Sequence, residues 1–242
     1  MAEVESIIHE GWGELVLNRP EVRNAINGPF GQALAAEVRA LDANAEVKVI
    51  LLRGAQGAFC SGLDLKAFNA EPAPEWMSGW GATWRDAHKA LYACGKPIVA
   101  ALEKYAINGG AALALAADLL VAGETAFLHV GEVQQGMAAP YNMAWLRLRH
   151  SEALAARVAI VGRRMLGPEL KSVGIAYEVA PDLEVVACAR QLVESLAAYP
   201  NDALARIKKT LRAYNDEPAD VWFDRATGAV SGPRRAPARN PA

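Results

Sequence analysis

Two short loops are the most informative part of this chain: residues 57–65, with the sequence GAFCSGLDL, and residues 106–112, with the sequence AINGGAA. Each loop follows an apolar run, residues 47–52 and residues 98–102, which is typical of a buried parallel strand. Both loops are therefore predicted at the carboxyl ends of strands, where open α/β sheets place ligands. The second loop opens a helix, whose first N–H groups have no intrahelical partner.

The rest of the chain predicts an α/β fold. Strands are predicted over residues 6–9, 14–18, 47–52, 98–102, 118–122 and 126–130, and helices over residues 30–41, 83–93, 111–117, 152–161, 168–173, 183–198, 203–214 and 219–227. The alternation of strands and helices in the first half indicates a sheet with crossover helices. The second half is predicted to be mostly helical.

Composition excludes several classes of protein. The chain has 242 residues, a net charge of -2 and a pI of about 6.1, which gives no support to nucleic-acid binding. Its cysteines, at positions 60, 94 and 188, form neither a disulfide framework nor a zinc motif, so we expect a cytoplasmic protein with reduced thiols and no metal site. Charged and polar residues interrupt the apolar run 98–122, which argues against a membrane span.

Several motifs occur in a characteristic order. They are the segment 17–20 (LNRP) with Asn24-Ala25, the first loop at 58–65, the segment 96–101 (KPIVAA), Gly109-Gly110 with Asp118, and Glu132 with Gly136. On these residues the chain resembles the crotonase, or enoyl-coenzyme A hydratase/isomerase, superfamily from about residue 12 to residue 214. The resemblance implies a ββα spiral core over 1–185 and a helical C-terminal region over 186–230. Residues 231–242 are rich in Pro, Arg and Ala and have no apolar periodicity, which predicts a flexible tail. It also implies homotrimers or hexamers built as dimers of trimers.

The same resemblance implies a site for an acyl-coenzyme A thioester, with the coenzyme as part of the substrate and no tightly bound cofactor. Backbone N–H groups of Leu63 and Gly109 would form an oxyanion hole, which stabilises charge on an enolate oxygen. The implied substrate-binding residues are Arg19, Arg23, Ser61, Gly62, Asp64, Leu65, Lys66, Gly110 and His129. Arg23 and Lys66 could offer charge to the phosphates, although either could equally be a solvated surface cation.

One departure from the family pattern bears on the mechanism. Two-carboxylate hydratases of the family use a glutamate in the helix after the glycine loop, and the matching residue here is Ala112. The second glutamate corresponds to Glu132, so the chain keeps one carboxylate of the two. A single carboxylate suits double-bond isomerisation, in which one group removes a proton and returns it elsewhere, and it weakens hydration without excluding it. If Glu132 is buried, its pKa should be raised.

Other polar residues near Glu132 keep alternatives open. His129 is expected to be a structural hydrogen-bonding residue more than a catalytic one. Tyr141 and Asn142 belong to a Pro-Tyr-Asn segment that resembles methylmalonyl-coenzyme A decarboxylases of the family, so Tyr141 is predicted as a pocket residue with a possible catalytic role. Tryptophans 76, 80, 84 and 145 belong either to the acyl pocket or to the core or an interface.

Three hypotheses follow. The first is an enoyl-coenzyme A hydratase/isomerase, a lyase or isomerase of fatty acid metabolism, with Glu132 as acid and base. The second is a decarboxylase or thioester hydrolase that uses Tyr141, Asn142 or His129. The third is a degenerate binding or structural subunit. It is motivated by Ala112 and by a C-terminal segment, residues 224–235, in which the family's last helix is missing or degenerate.

Overall fold

A six-stranded sheet organises the fold of this computed structural model, which describes residues 2–215 and 217–228. The strands are hydrogen-bonded in the order β1 (Val4–His9), β2 (Trp12–Leu17), β3 (Val49–Gly54), β4 (Ile98–Leu102), β6 (Leu119–Gly123) and β9 (Glu178–Ala180). The first two strands form an antiparallel hairpin, and every later neighbour pairs in parallel. A parallel pair needs a crossover connection, which explains the helices between these strands.

A smaller sheet of three strands lies beside the carboxyl end of β4. It contains β5 (Tyr105–Ile107), β7 (Phe127–His129) and β8 (Arg164–Leu166), in that order. The first pair is parallel and the second antiparallel. Because β5 leads directly into the second glycine loop, this small sheet helps to fix the position of that loop.

The described residues also form ten α-helices. They are α1 (Gly28–Ala43), α2 (Leu65–Phe68), α3 (Trp80–Ala93), α4 (Gly109–Ala116), α5 (Pro140–Arg149), α6 (Glu152–Val161), α7 (Gly167–Ser172), α8 (Val185–Ala197), α9 (Ala203–Ala213) and α10 (Ala219–Gly228). The predicted α/β class is confirmed. The predicted tail, residues 231–242, lies outside the described residues.

The main sheet is covered on both faces, as its apolar strands predict. Successive side chains of a strand point to opposite faces. Ile50 and Leu52 therefore belong to the large core that includes residues of α1, α3 and α4, whereas Val49 and Leu51 pack with residues of α8. Residue 185, the last residue of the predicted core, is the first residue of α8 and is fully buried.

The carboxylate of Asp118 connects the helical second half of the chain to the sheet. It accepts a hydrogen bond from the Ile98 N–H at 2.8 Å and from Arg149 of α5 at 3.1 Å. Lys208 of α9 lies 2.8 Å from the same carboxylate. Burial alone would raise the pKa of Asp118, but Lys208 and Arg149 have the opposite effect. Together these cations hold the pKa of Asp118 below its usual value. None of the helices in the described ranges is long and apolar enough to span a membrane.

Candidate active site

The two glycine loops lie side by side because the strands before them are neighbours. Strands β3 and β4 are parallel, so the chain leaves both at the same edge of the sheet. The Cys60 N–H donates to the Tyr105 carbonyl at 3.1 Å, and the Ile107 N–H donates to the Cys60 carbonyl at 3.1 Å. The loops that the sequence singled out therefore meet in the fold.

Glycine is required at two points of this contact. Gly62 has φ +91°, a backbone conformation that other residues rarely adopt, and a Cβ atom there would lie 2.9 Å from the Ile107 carbonyl oxygen. A Cβ atom on Gly110 would lie 2.6 Å from the Cys60 carbonyl oxygen and 2.8 Å from its Cβ. The missing side chains of Gly62 and Gly110 thus allow the loops to touch.

We expect Gly110→Ala to destabilise the protein and to push the loops apart. Overpacking of a tight contact typically costs about 1–3 kcal/mol. The matched control is Gly81→Ala, also in a helix, where nothing lies within 4 Å of the added Cβ. That substitution should be neutral or stabilising by about 0.5–1 kcal/mol. Urea unfolding of both variants tests the argument, and equal stabilities would contradict it.

The N–H groups of Leu63 and Gly109 remain available for a ligand. The first loop pairs with Ile26, since the Ile26 N–H donates to the Gly62 carbonyl at 2.8 Å and the Asp64 N–H donates to the Ile26 carbonyl at 2.9 Å. This pairing skips Leu63. Gly109 is the first residue of α4, so its N–H has no intrahelical acceptor. Neither group donates a hydrogen bond to any residue among 2–215 and 217–228.

Ile26 also links these two positions. Its backbone pairs with the residues on either side of Leu63, and its Cδ1 lies 3.0 Å from the point where a Cβ of Gly109 would stand. Trp84 Cζ2 lies 3.7 Å from the same point. The two free N–H groups therefore belong to one small region, bordered by Ile26 and Trp84.

Glu132 is buried, as its place in the sequence predicts. It follows β7 and begins a 3-10 turn, Glu132–Gln135, and only 9% of its surface is exposed. Its Oε1 accepts a hydrogen bond from Asn142 Nδ2 at 2.8 Å, while its Oε2 is buried and has no hydrogen-bond partner among the described residues. Burial raises the pKa of this carboxyl to about 7, against hydrogen bonds from its own backbone and from Asn142, which lower it.

Two asparagines tie Glu132 to the second loop. The Gly131 N–H donates to Asn108 Oδ1 at 2.8 Å, and Asn142 Nδ2 donates to the Asn108 carbonyl at 3.1 Å as well as to Glu132. This linkage is not predictable from the sequence, because it joins residues from three separate segments.

Ala112 stands in the middle of α4 and is fully buried. Its side chain offers no acid or base. Glu132 is the carboxylate that hydrogen bonds of Asn142 connect to the second loop. Within residues 2–215 and 217–228, no group of three or more His, Cys, Asp or Glu side chains could hold a metal ion.

An aromatic wall lies next to the glycine loops. Its members, taken from α2, the following 3-10 turn, α3 and α5, are Phe68, Trp76, Trp80, Trp84, His88 and Tyr141. Trp84 stacks on Trp80 with ring centroids 5.5 Å apart, and Tyr141 stacks on His88 at 4.3 Å. Tyr141 is half-buried and adjoins Asn142 in the chain, so the structure places it beside the Glu132 region as part of this wall.

The cations predicted to meet coenzyme A fall into two groups. Arg19 is already engaged, because its guanidinium lies 3.0 Å from the Asp64 carboxylate and also donates to the Ala25 carbonyl. Asp64 in turn accepts from the Ala67 N–H at 3.0 Å and caps α2. Arg23 and Lys66 are exposed at the outer side of the first loop. Arg19 and Asp64 therefore brace the loop, while Arg23 and Lys66 are accessible to an anion.

The remaining predicted residues have structural contacts. His129 Nε2 donates to the Gly162 carbonyl at 2.9 Å, which agrees with the expected structural role. The Ser61 N–H donates to the Arg23 carbonyl at 3.1 Å, and the side chain of Leu65 is 48% exposed at the start of α2. Ser61 and Leu65 therefore shape the first loop, whereas His129 lies outside it in β7.

Comparison with known proteins agrees with this geometry. A sequence model of the "Enoyl-CoA hydratase/isomerase" family matches residues 8–222. The chain is 27% identical to a 1,2-epoxyphenylacetyl-CoA isomerase of Escherichia coli, over 93% of this chain and 87% of the relative. It is 32% identical to a carnitinyl-CoA dehydratase of Proteus mirabilis, over 84% of this chain and 77% of the relative.

A solved structure gives the same result for the fold. The crystal structure of an enoyl-CoA hydratase/isomerase from Mycobacterium paratuberculosis matches with a TM-score of 0.81 and 26% identity, covering 96% of this chain and 93% of that one. The predicted resemblance and the crotonase-like fold, with its helical C-terminal region, are both confirmed. The chain therefore belongs to the enoyl-CoA hydratase/isomerase family of enzymes.

Proposed function

We propose that the chain moves a proton on an acyl-coenzyme A thioester, with Glu132 as the single acid and base. One observation carries the proposal. The buried Glu132 carboxyl has a pKa of about 7, and its Oε2 has no hydrogen-bond partner in the described residues. Asn142 connects this carboxyl to the Asn108–Gly109 peptide by hydrogen bonds. That peptide carries one of the two free N–H groups. A carboxyl with this pKa can both accept and donate a proton near neutral pH.

The proposed reaction starts with the thioester oxygen bound by the N–H groups of Leu63 and Gly109. The Glu132 carboxylate removes a proton from C2 of a 3-enoyl thioester, and the C–H electron pair moves into an enolate whose charge lies on that oxygen. Two fixed donors stabilise this charge as it develops. Glu132 then returns the proton at C4, which gives the 2-enoyl thioester and restores the carboxylate.

Ala112 favours isomerisation over hydration in this proposal. Addition of water needs a base for the water and an acid for the α-carbon. With alanine at 112, Glu132 would have to serve both purposes on a 2-enoyl thioester. Hydration therefore remains the second reaction of the same site, for thioesters that supply their own electronic activation. The aromatic wall supports thioesters with a flat, apolar acyl group among the candidates.

The proposal includes the coenzyme and the assembly. Arg23 and Lys66 would meet the phosphates, since both are exposed beside the first loop. Homotrimers or dimers of trimers are proposed from the family resemblance, and large apolar side chains exposed on the helical second half support association. These are Ile160, Val161, Ile207, Leu211 and Tyr214.

The test is turnover of a thioester panel in deuterated water, followed by mass spectrometry. The panel contains 2-enoyl, 3-enoyl, aromatic enoyl and malonyl-type thioesters. Deuterium uptake with migration of the double bond supports isomerisation, and uptake with addition of water supports hydration. Loss of carbon dioxide or release of free coenzyme A, sensitive to Tyr141→Phe, would replace the proposal by a decarboxylase or hydrolase. Binding without any reaction would favour a binding subunit.

A further inference from the structure

We propose that Asn142 is a positioning residue that couples the Glu132 carboxylate to the oxyanion-binding peptide Asn108–Gly109. This inference rests on the proposed function and adds a residue to its machinery. Asn142 lies in the first turn of α5 and is 1% exposed. Its amide nitrogen donates to Glu132 Oε1 at 2.8 Å and to the Asn108 carbonyl at 3.1 Å. Both hydrogens of one NH₂ group are thus used, one on each functional element.

The orientation of this amide follows from its partners. A carbonyl oxygen and a carboxylate oxygen are acceptors, so only the NH₂ side of Asn142 can face both of them. The reverse orientation would place Asn142 Oδ1 against two other oxygens. In the observed orientation Oδ1 is buried and has no hydrogen-bond partner among the described residues. The amide keeps this arrangement although its oxygen is left unsatisfied, which indicates how strongly the two acceptors hold the nitrogen.

The contact to Asn108 acts on Gly109 because both belong to one peptide unit. The Asn108 carbonyl accepts from Asn142 and also from the Ala112 N–H at 3.0 Å. Hydrogen bonds to the oxygen of an amide polarise it and make its N–H a stronger donor. They also fix the plane of the peptide, and thus the direction in which the Gly109 N–H points. Asn142 therefore both strengthens and aims this donor.

The contact to Glu132 acts on the carboxyl. Donation from Asn142 stabilises the ionised form, and together with the backbone of Glu132 it opposes the effect of burial. When Glu132 takes a proton from the substrate, its carboxyl becomes neutral and accepts the Asn142 hydrogen bond more weakly. At this stage the negative charge is on the thioester oxygen. The amide then donates chiefly to the Asn108 carbonyl, so donor strength at Gly109 is greatest when the enolate is present.

Asn142→Leu removes both N–H donors of the amide and replaces it with a side chain of similar volume. Asn142→Ala removes the same donors and needs no additional space. Two readouts would not respond to a purely structural role. The first is the titration of the Glu132 carboxyl, followed by carbon-13 NMR, in which the midpoint should rise in both variants. The second is the infrared carbonyl band of bound, carbonyl-labelled hexanoyl-coenzyme A, a saturated thioester, in which the shift towards lower frequency should shrink. Turnover should fall by roughly 10- to 100-fold, mainly in kcat.

The control is Met143→Leu, a volume-conserving change at the next position of α5, which should leave both readouts as in the wild type. Neither readout needs turnover, so they test the coupling even if no thioester of the panel reacts. An unreactive wild type would remove the proposed function alone. The coupling is overturned if a folded Asn142 variant keeps both the titration midpoint and the carbonyl band of the wild type.

Discussion

In the Glu132→Gln protein we expect loss of proton transfer together with a gain in stability above pH 7. Both effects have one physical cause, the charge of a buried carboxylate. General acid–base catalysis by one positioned group contributes roughly 10²- to 10⁴-fold. Deuterium exchange at the acyl chain should therefore fall by about that factor, while thioester binding is retained, because the two N–H donors are unchanged.

The gain in stability follows from linkage between protons and folding. The pKa of Glu132 is about 7 in the folded protein, against an ordinary value of 4.5. Between these values the folded state holds a proton that the unfolded chain has released, so stability falls as the pH rises through this interval. Each unit of pKa corresponds to about 1.4 kcal/mol, so the full cost above the interval is about 3.5 kcal/mol. Glutamine carries no charge and avoids that cost.

Urea unfolding of wild type and Glu132→Gln across this pH range makes the comparison. The two proteins should have similar stabilities near pH 4.5, and the variant should be more stable above pH 7. The matched control is Glu124→Gln, an exposed carboxylate in the turn between β6 and β7, which should show no such divergence. A constant difference in stability at all pH values would contradict the raised pKa of Glu132. Full exchange activity in Glu132→Gln would remove Glu132 from the mechanism.

The second large effect concerns His88, for which we expect substitution to protect the protein against acid. His88 is fully buried in the aromatic wall, and its Nδ1 accepts a hydrogen bond from the Trp145 indole at 2.9 Å. The proton of the neutral ring is therefore on Nε2, which is buried without a hydrogen-bond partner in the described residues. A second proton would have to occupy Nδ1 and break the bond to Trp145. Burial lowers the pKa of His88 to about 3.

The sign of the effect follows from this depressed pKa. Between pH 6.5 and about 3 the unfolded chain binds a proton at His88 and the folded protein does not, so stability falls as the pH falls. The contribution of one such group is about 1.4 kcal/mol for each pH unit. His88→Gln keeps an acceptor for the Trp145 N–H and cannot titrate, so its stability should fall less steeply in acid.

Free energies of unfolding measured in urea between pH 6.5 and 3 test this expectation. His88→Phe is a useful second variant, because it removes the acceptor for Trp145 as well as the titration. It should be less stable than His88→Gln at every pH, but with the same reduced slope. If the wild type and both variants give parallel curves, His88 does not contribute to the acid sensitivity of the fold.

The long elements of the fold were predictable because their patterns extend over many residues. The strand Ile98–Leu102 and the helix Glu152–Val161 have the predicted bounds. Five elements were not predicted: β5, β8 and β9, each of three residues, the four-residue helix α2, and helix α5. Three residues are too few to establish an alternating pattern. In α5, Pro140 is acceptable at the first position of a helix, although it was read only as part of the Pro-Tyr-Asn segment.

The candidate site was predictable to the extent that it depends on the backbone. Loops with Gly62 and Gly110 indicate where chains can approach closely, and the position of Glu132 between a strand and a turn indicates a pocket. Hydrogen bonds between distant segments leave no such pattern. For this reason neither the contact of Arg19 with Asp64 nor the two contacts of Asn142 were predicted.

Asn108 illustrates a conflict that matters for protein engineering. Its φ of 50° with ψ of -108° is a conformation that glycine adopts more readily than any other residue. A stability-guided redesign would favour glycine at this position, and the folded state would tolerate it well. The same exchange would delete the Oδ1 that receives the Gly131 N–H beside Glu132. Selection for thermal tolerance and selection for turnover should therefore choose different residues at position 108, which makes it a poor target for automated stabilisation.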